Sequence, residues 1–157
     1  MHGLVLIAIA GLVAVDQLSK AAAAYHLQPI SNVTVLSGFL DFTFVRNTGA
    51  AFGILQGARW FFVALTIVIL CFGFYYYIKL PKEKPYGFVR FSLILIGAGA
   101  IGNFIDRLFR GYVIDFFHVR FIEFPVFNFA DIYIVTGTFL LAFLILFCIK
   151  DDEKINV

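Results

Sequence analysis

The amino-acid sequence predicts an all-α integral membrane protein in which four helices cross the bilayer. Of its 157 residues, 62% are hydrophobic and 14% are charged, whereas soluble domains contain about 45–50% and about 25%. The mean hydropathy is +0.95. A soluble chain of this size could not bury so much apolar surface, because small domains leave a large share of their surface exposed. The composition therefore excludes a soluble enzyme, a nucleic-acid-binding protein and a disordered chain.

Four apolar stretches are long enough to cross the hydrocarbon core, which takes about 20 residues of helix. They cover residues 3–24, 60–78, 88–107 and 131–149. We expect these spans and their connections to form a single domain over residues 1–157.

The first stretch also has features of a cleavable signal peptide, because the alanines at 21–24 resemble a cleavage site. It lacks a basic N-terminal region, however, and it carries Asp16 and Lys20 within the apolar run. We therefore favour a retained span.

The connection at residues 79–86 is short and basic and contains two prolines. The positive-inside rule places such a connection in the cytoplasm, and an even number of spans then puts both termini on the same side. Every lysine except Lys20 lies on this inner side. Five arginines lie outside or near the outer ends and make the signal less clear: Arg46, Arg59, Arg107, Arg110 and Arg120.

Two outer segments connect the spans, at about residues 31–57 and 108–130. Residues 33–47 alternate loosely between polar and apolar side chains, and this period of two predicts a strand, with Gly38 and the Asn47-Thr48-Gly49 group supplying turns. A strand in hydrocarbon would leave backbone groups unpaired. We therefore expect this strand at the outer membrane surface, with its phenylalanines toward lipid.

The informative residues of such a chain are its ionisable groups at membrane depth, because burying a charge there is costly. Of the ten carboxylates, six fit aqueous or surface positions; Asp41 and Glu123 belong to the outer surface. Asp16 and Lys20 are four residues apart on one helix, which predicts an ion pair. Three carboxylates remain to be explained: Asp106, Asp115 and Asp131.

Asn103, Asp106 and Arg107 share one face of the third span, because they stand at positions i, i+3 and i+4. Three roles are open for these residues: a structural ion pair, interfacial snorkelling, or a cluster of hydrogen-bond donors that binds a peptide backbone. Asn128 is placed to cap the fourth helix, whose dipole would stabilise Asp131.

Asp115 lies in hydrophobic sequence, and no predicted helix start stabilises its charge. The pattern alone leaves two interpretations open. Asp115 and Asp131 are a catalytic pair, or they are an isolated surface residue and a helix-capping residue.

Other chemistries have weaker support. None of the four serines lies in a nucleophile elbow, and no HExxH motif occurs. Residues 97–102 match the dinucleotide-binding fingerprint but lie in a span with no preceding strand, so close helix packing explains these small residues better. Cys71 and Cys148 have no partner spacing and indicate neither a disulfide nor a zinc site.

Five motifs, in order along nearly the whole chain, resemble those of the lipoprotein signal peptidase (signal peptidase II) family. They are Asp16-Gln17-Leu18-Ser19-Lys20, Asn47-Thr48-Gly49-Ala50-Ala51-Phe52-Gly53, Gly102-Asn103-Phe104-Ile105-Asp106-Arg107, Val113-Ile114-Asp115-Phe116 and Phe127-Asn128-Phe129-Ala130-Asp131. The resemblance implies four transmembrane helices, a small β-cradle on the outer face and a short outer helix or loop. The segments at 31–57 and 108–130 would be those two outer pieces.

The resemblance also implies an activity. The family is an intramembrane aspartic endopeptidase of the bacterial cell membrane, and it cuts the signal peptide from a prolipoprotein just before the diacylglyceryl-modified cysteine. Its partners are this substrate and membrane lipid, not nucleic acid, and we expect a monomer. The active site would lie near the outer face, with both termini in the cytoplasm.

The catalytic pair of the family maps onto Asp115 and Asp131, with no metal and no cofactor. Two carboxyl groups about 3 Å apart share one proton, and we expect Asp131, at a helix N-terminus, to carry more of the charge. Phe39, Phe42 and Phe44 are candidates to cover a substrate groove or to anchor the interface. The family's supporting residues map onto Asp16, Lys20, Asn47, Asn103, Asp106, Arg107 and Asn128, of which Asn47 and Arg107 would bind the peptide backbone.

Two other functional classes stay open from the residues alone. Intramembrane carboxylates also form proton relays in small transporters or channel subunits, although such proteins often contain a repeat and none is visible here. A non-enzymatic assembly factor would use the same residues only for structure.

Overall fold

The computed structural model describes residues 2–50, 52, 54–83 and 86–149. The charged C-terminal tail at 150–157, part of the basic connection and residues 51 and 53 of the second motif lie outside the described residues.

Four helices form most of the described chain, and all are long and apolar enough to cross a membrane. They are α1 (His2–Leu27), α2 (Arg59–Lys79), α3 (Tyr86–Phe109) and α4 (Phe129–Phe143), which continues as a π-helical turn over Leu144–Cys148. The predicted fold class is therefore confirmed. Helix α4 begins before the apolar stretch at 131, because the side chain of Asn128 caps it and adds Phe129 and Ala130 to the first turn.

Helix α3 lies at the centre of the bundle and packs against α1, α2 and α4. Its contact with α4 depends on glycine. A Cβ atom on Gly137 would lie 2.8 Å from the backbone oxygen of Ser92, and one on Gly99 would overlap the backbone oxygen of Ala130. A Cβ atom on Gly102 would lie 2.5 Å from Oδ2 of Asp16 on α1. These small residues allow the helices to approach closely, as predicted for the glycine-rich part of α3.

The outer segments form one antiparallel sheet, with the strands in the order β1 (Asn32–Leu36), β2 (Leu40–Asn47) and β3 (Val113–Val119). The strand predicted within residues 33–47 forms as two strands rather than one, because the chain reverses at residues 37–39, around the predicted turn residue Gly38. Gly38 has a positive φ of 74° in this turn, a conformation that glycine adopts without strain.

Strand β3 corrects a second expectation, since residues 108–130 were assigned to an outer helix or loop. Its sequence is rich in β-branched and aromatic residues, which favour strands, but four consecutive residues are buried and the run does not alternate. Strand β3 pairs with β2, and Asp115 stands opposite Val45 after a register shift in β2 between Phe42 and Val45. This irregularity also breaks the predicted alternation along residues 40–45.

The sheet packs on the end of α1 through a hydrophobic cluster of Ala23, Leu27, Ile114 and Phe116. Phe42 and Phe44 pack against this cluster. Asp41, which was expected on the outer surface, is only 4% exposed and accepts a hydrogen bond of 3.1 Å from Asn32. The sheet therefore caps the end of the bundle at which α1 and α3 end and α2 and α4 begin.

Candidate active site

Asp115 lies in the middle of β3 and is 2% exposed. Each of its carboxylate oxygens accepts a hydrogen bond from an amide. Oδ1 accepts from Asn128 Nδ2 at 2.6 Å, and Oδ2 accepts from Asn47 Nδ2 at 2.9 Å. The interpretation of Asp115 as an isolated surface residue is therefore wrong.

Asp131 is the third residue of α4, and it forms a reciprocal capping box with Asn128. The backbone N–H of Asp131 donates to Asn128 Oδ1 at 3.0 Å, and the backbone N–H of Asn128 donates to Asp131 Oδ2 at 3.1 Å. The other oxygen of Asp131 accepts from Asn103 Nδ2 at 2.8 Å. The predicted cap is thus present, and it places a carboxylate at the positive end of the α4 dipole.

Asn128 brings the two carboxylates together. Its side chain donates to Asp115 while its backbone donates to Asp131, and it is completely buried. Strand β3 and helix α4, which follows it directly in the chain, thereby present their aspartates to the two sides of one residue.

Burial, followed by the negative charge of Asp131, raises the pKa of Asp115 to about 6. The hydrogen bonds from Asn47 and Asn128 and the charge of Lys20 act in the opposite direction. A carboxyl group that retains its proton to higher pH beside a second carboxylate is the electrostatic arrangement of an acid–base pair.

An open cleft of about 230 Å³ lies beside Asp115. Its wall includes Asn47 and Thr48 at the end of β2. The remaining lining residues are Val45, Arg46, Ala50, Phe52, Gln56, Pro125 and Val126.

The three phenylalanines proposed to cover a groove are not among the residues that line this cleft. Phe42 and Phe44 pack against the hydrophobic cluster beneath the sheet. Phe39 is 61% exposed and contacts Phe121 with ring centroids 5.2 Å apart.

A buried ionic cluster lies next to the two aspartates. Lys20 Nζ is 2.9 Å from Asp16 Oδ2 and 3.0 Å from Asp106 Oδ2, and all three side chains are completely buried. The predicted Asp16–Lys20 pair is confirmed. Asp16 also accepts from the backbone N–H of Ala130 at 3.0 Å, and Asp106 accepts from that of Ile114 at 3.3 Å. The cluster therefore binds the residues that directly precede Asp131 and Asp115.

Arg107 does not join this cluster, although it shares the predicted helix face with Asp106. Its guanidinium donates to the backbone oxygen of Gly49 at 2.9 Å and lies 4.7 Å from the ring centroid of Phe62. The N–H of Gly49 in turn donates to Asn47 Oδ1 at 2.9 Å. Arg107 and Asn47 thus hold the turn at one wall of the cleft.

Two further residues, Gln17 and Arg110, belong to the cluster although neither is a predicted site residue. Arg110 forms an ion pair with Asp106 and donates to Gln17 at 3.2 Å, and Gln17 donates to Asp106 at 3.3 Å. The spacing of four residues between Asp106 and Arg110 is a helical pairing signal that would have identified Arg110.

The aspartates of this site lie in a chain that matches one protein family over most of its length. A family model described as signal peptidase (SPase) II matches residues 8–147. The chain belongs to the signal peptidase II family. This membership makes it a peptidase, and it does not support the transporter or channel alternative.

Named relatives of this signal peptidase II chain are similar over nearly their whole lengths. The lipoprotein signal peptidase of Clostridioides difficile (strain 630) is 40% identical over 136 residues, which cover 87% of this chain and 90% of the relative. The lipoprotein signal peptidase of Caldanaerobacter subterraneus subsp. tengcongensis is 43% identical over 143 residues, which cover 90% and 95%.

Solved structures show the same fold. A bacterial membrane enzyme determined by the in meso method at 2.3 Å resolution has a TM-score of 0.82 and 33% identity, and the match covers 99% of this chain and 94% of the other. A second such structure, at 1.9 Å resolution, has a TM-score of 0.80 and 34% identity, with 94% and 95% covered. This member of the signal peptidase II family is therefore a multi-pass membrane protein.

Proposed function

We propose that this signal peptidase is an intramembrane aspartic endopeptidase in which Asp115 and Asp131 are the catalytic pair. The family and its relatives remove signal peptides from prolipoproteins, and this chain does the same. The observation that carries the proposal is the pair of carboxylates, one buried and one half-buried, that Asn128 contacts on its two sides. The scissile bond would be the one directly before the diacylglyceryl-modified cysteine.

An aspartic endopeptidase hydrolyses the peptide bond with one carboxylate as the general base and one carboxylic acid as the general acid. The ionised group takes a proton from water while the water oxygen forms a bond to the scissile carbonyl carbon. The protonated group donates its proton to the substrate, and the C–N bond breaks when the leaving amine has gained a proton. No covalent enzyme intermediate forms.

The environments of the two groups support a division of roles. The raised pKa of Asp115 favours this residue as the holder of the proton. Asp131 has the helix dipole and two N–H donors to stabilise its charge, which favours it as the base. The two groups titrate as a pair, and the apparent pKa values belong to both.

The open cleft beside Asp115 is the proposed site of the substrate backbone around the scissile bond. A signal peptide enters as a helix, whose amides are already paired, and it must unwind before one of them can be attacked. Asn47 lines this cleft and donates to Asp115, and Arg107 donates to the backbone oxygen of Gly49 in the turn beside the cleft. When either residue binds the substrate, it would give up its present hydrogen bond and donate to the peptide backbone instead.

The fold supports an active site at the outer face. The sheet and both aspartates lie at one end of the bundle, and the connection between α2 and α3 lies at the other. That connection begins with Lys79 and includes Lys82, so the positive-inside rule assigns it to the cytoplasm. Both termini would share that side, and the monomer would take its lipidated substrate directly from the surrounding bacterial membrane.

Cleavage of a purified diacylglyceryl-modified prolipoprotein in detergent micelles tests the proposal. The wild-type chain is expected to release the signal peptide, whereas Asp115→Asn and Asp131→Asn lose at least about 1000-fold in kcat, since each removes half of an acid–base pair. The matched control is Glu123→Gln, which neutralises an exposed carboxylate of the same outer region and should cleave normally.

A second arm uses the same prolipoprotein without its lipid. The proposal predicts little or no cleavage of this substrate. Normal cleavage by either Asn variant would overturn the aspartic mechanism, and equal cleavage of both substrates would overturn the requirement for the lipid.

A further inference from the structure

Lys20 lies on α1, outside the cleft, and its completely buried ammonium group has three acceptors. These are Asp16 Oδ2 at 2.9 Å, Asp106 Oδ2 at 3.0 Å and Asn103 Oδ1 at 2.9 Å. An ammonium group has three donors and no acceptor, so every N–H of Lys20 is paired. Such complete pairing is what allows a lysine to remain charged in a buried position.

This pairing determines which way the amide of Asn103 faces. Because Lys20 can only donate, the Asn103 atom that it contacts must be the carbonyl oxygen. The amide nitrogen of Asn103 is then turned toward Asp131, to which it donates at 2.8 Å. Asn128 Nδ2 also donates to this Asn103 oxygen, at a longer 3.3 Å. Lys20 therefore makes the shorter of the two contacts that orient a donor toward Asp131, and it does not touch Asp131 itself.

Lys20 also balances the charge of the cluster. Asp16 and Asp106 contribute two negative charges, while Lys20 and Arg110 contribute two positive charges. Lys20 is completely buried, whereas the Arg110 side chain is 33% exposed. Solvent therefore screens the charge of Lys20 less than the charge of Arg110. The other charged or titratable groups around this cluster are Arg107 on α3, Asp115 on β3, and Asp131 and Tyr133 on α4.

We infer that Lys20 is a positioning residue for the catalytic pair, because it orients the Asn103 amide toward Asp131 and neutralises the cluster that holds both aspartate-bearing segments. This inference rests on the proposed roles of Asp115 and Asp131. Lys20 is not a catalytic residue, since its buried side chain has no surface for substrate. Its positive charge also acts on the pair directly, and it lowers the pKa of Asp115.

The test is the pH dependence of cleavage by Lys20→Met, with a diacylglyceryl-modified prolipoprotein in detergent. Loss of the Asn103 orientation is expected to lower kcat by about 100-fold, the usual effect of misplacing a reacting group, while KM changes by less than about threefold. Loss of the positive charge is expected to move the basic limb of the pH profile upward by about one unit. A residue needed only for folding would leave this limb in place.

Two further variants separate orientation from charge. Lys20→Met combined with Asp16→Asn restores the charge balance, so the basic limb should return toward its wild-type position while kcat stays low. Lys20→Gln retains an amide donor but no charge. Its kcat should exceed that of Lys20→Met, although its basic limb should be displaced equally.

The matched control is Lys79→Met, which removes a lysine at the far end of α2 and should change neither kcat nor the pH profile. The melting temperature of each variant in detergent identifies any variant that fails to fold. If Lys20→Met fails to fold, Lys20→Gln still provides the test. An unchanged basic limb in both Lys20 variants, or full recovery of kcat in the double variant, overturns the inference. Cleavage by Asp115→Asn or Asp131→Asn would instead overturn the proposed function.

Discussion

At the scale of single residues, the site depends on amides whose orientation is imposed by groups that can only donate. The backbone N–H of Asp131 faces Asn128 Oδ1, which turns the Asn128 nitrogen toward Asp115. Lys20 imposes the orientation of Asn103 in the same way. Each carboxylate oxygen of the pair therefore receives an N–H donor, and the two aspartates have fixed positions before substrate arrives.

Asn128 combines a structural role and a role in the site, and these two roles can be separated. Asn128→Ala removes both the helix cap and the donor to Asp115, whereas Asn128→Ser retains a capping oxygen and removes only the donor. We expect Asn128→Ser to be more stable than Asn128→Ala by about 1 kcal/mol, the usual value of a cap. Cleavage should fall by about 100-fold in both variants, because Asp115 loses one of the two amide donors that fix its position.

Thermal unfolding in detergent and cleavage of the lipidated substrate measure the two effects of these Asn128 substitutions. Equal stability of the variants would contradict the capping role. Retained cleavage in Asn128→Ser would contradict the positioning of Asp115.

The pKa of Asp115, raised to about 6, predicts the pH dependence of cleavage. The group is protonated below this pH, so kcat/KM of an enzyme that uses it as the acid should fall as the pH rises through about 6. The proton is bound more tightly in the folded state than in the unfolded state. The stability that this group contributes is therefore complete below its ordinary pKa of 3.8 and is lost as the pH rises through about 6.

Asn47→Ala tests this assignment, because the hydrogen bond from Asn47 lowers the pKa of Asp115. Removing this bond should move the basic limb of the kcat/KM profile to higher pH. Asn32→Ala removes an amide from β1 that contacts Asp41 and Thr43 instead, and it should leave the limb in place. A limb that does not move in Asn47→Ala would show that a different group is the acid.

Several of these residue-level features could be predicted from local sequence. The ion pair of Asp16 with Lys20 and the cap formed by Asn128 depend on spacings of four and three residues along one chain segment. The contacts of Asn103 with Lys20 and of Asn47 with Asp115 join segments remote in sequence. No periodicity encodes such contacts. The helical spacing singled out Asn103 but not its partners, and only the family resemblance drew attention to Asn47 as a site residue.

At the scale of elements, the site is the meeting point of one strand and one helix start. Strand β3 carries Asp115 and the first turn of α4 carries Asp131, and both are anchored on α1 and α3 through the buried ionic cluster. The hairpin β1–β2 was partly predictable from its alternation and its glycine. Strand β3 was not, because a buried run without alternation does not distinguish a strand from other structures.

The close contact of α3 with α4 sets the distance between Asn103 and Asp131, and Gly99 tests this arrangement. A Cβ atom on Gly99 would overlap the backbone oxygen of Ala130 and lie 2.8 Å from Ile134 Cγ1. Gly99→Ala should therefore destabilise the protein by about 1–3 kcal/mol, the usual cost of overpacking, and lower cleavage, because Ala130 directly precedes Asp131.

Gly97→Ala is the matched control on the same helix, since a Cβ atom there meets nothing within 4 Å. Its melting temperature in detergent and its cleavage rate should equal or exceed those of the wild type. A Gly99→Ala variant as stable and active as Gly97→Ala would contradict the close packing of α3 with α4.

At the scale of the whole molecule, composition predicted the membrane class, because burying so much apolar surface in a small chain requires lipid. The four long apolar stretches predicted the number of spans. The position of the sheet and of both aspartates at one end of the bundle follows from the topology. Which end faces outward depends on the basic residues between α2 and α3, and this assignment can be measured directly.

Single cysteines introduced at Ser37, in the β1–β2 turn, and at Lys82, in the α2–α3 connection, report the two ends. The background is the variant Cys71→Ser/Cys148→Ser, which removes both native cysteines. In intact bacterial cells, a membrane-impermeant maleimide should label Ser37→Cys but should label Lys82→Cys only after lysis. The reverse pattern would place the candidate active site in the cytoplasm.

The most direct test of the central claim compares single-turnover cleavage by Asp115→Asn, Asp131→Asn and the double variant, all with wild-type melting temperatures. Residues that act as one catalytic unit give losses that do not multiply. The account predicts that both single variants are as inactive as the double variant while they still bind the lipidated prolipoprotein. A single variant that still cleaves, or a double variant whose loss is the product of the two single losses, would contradict it.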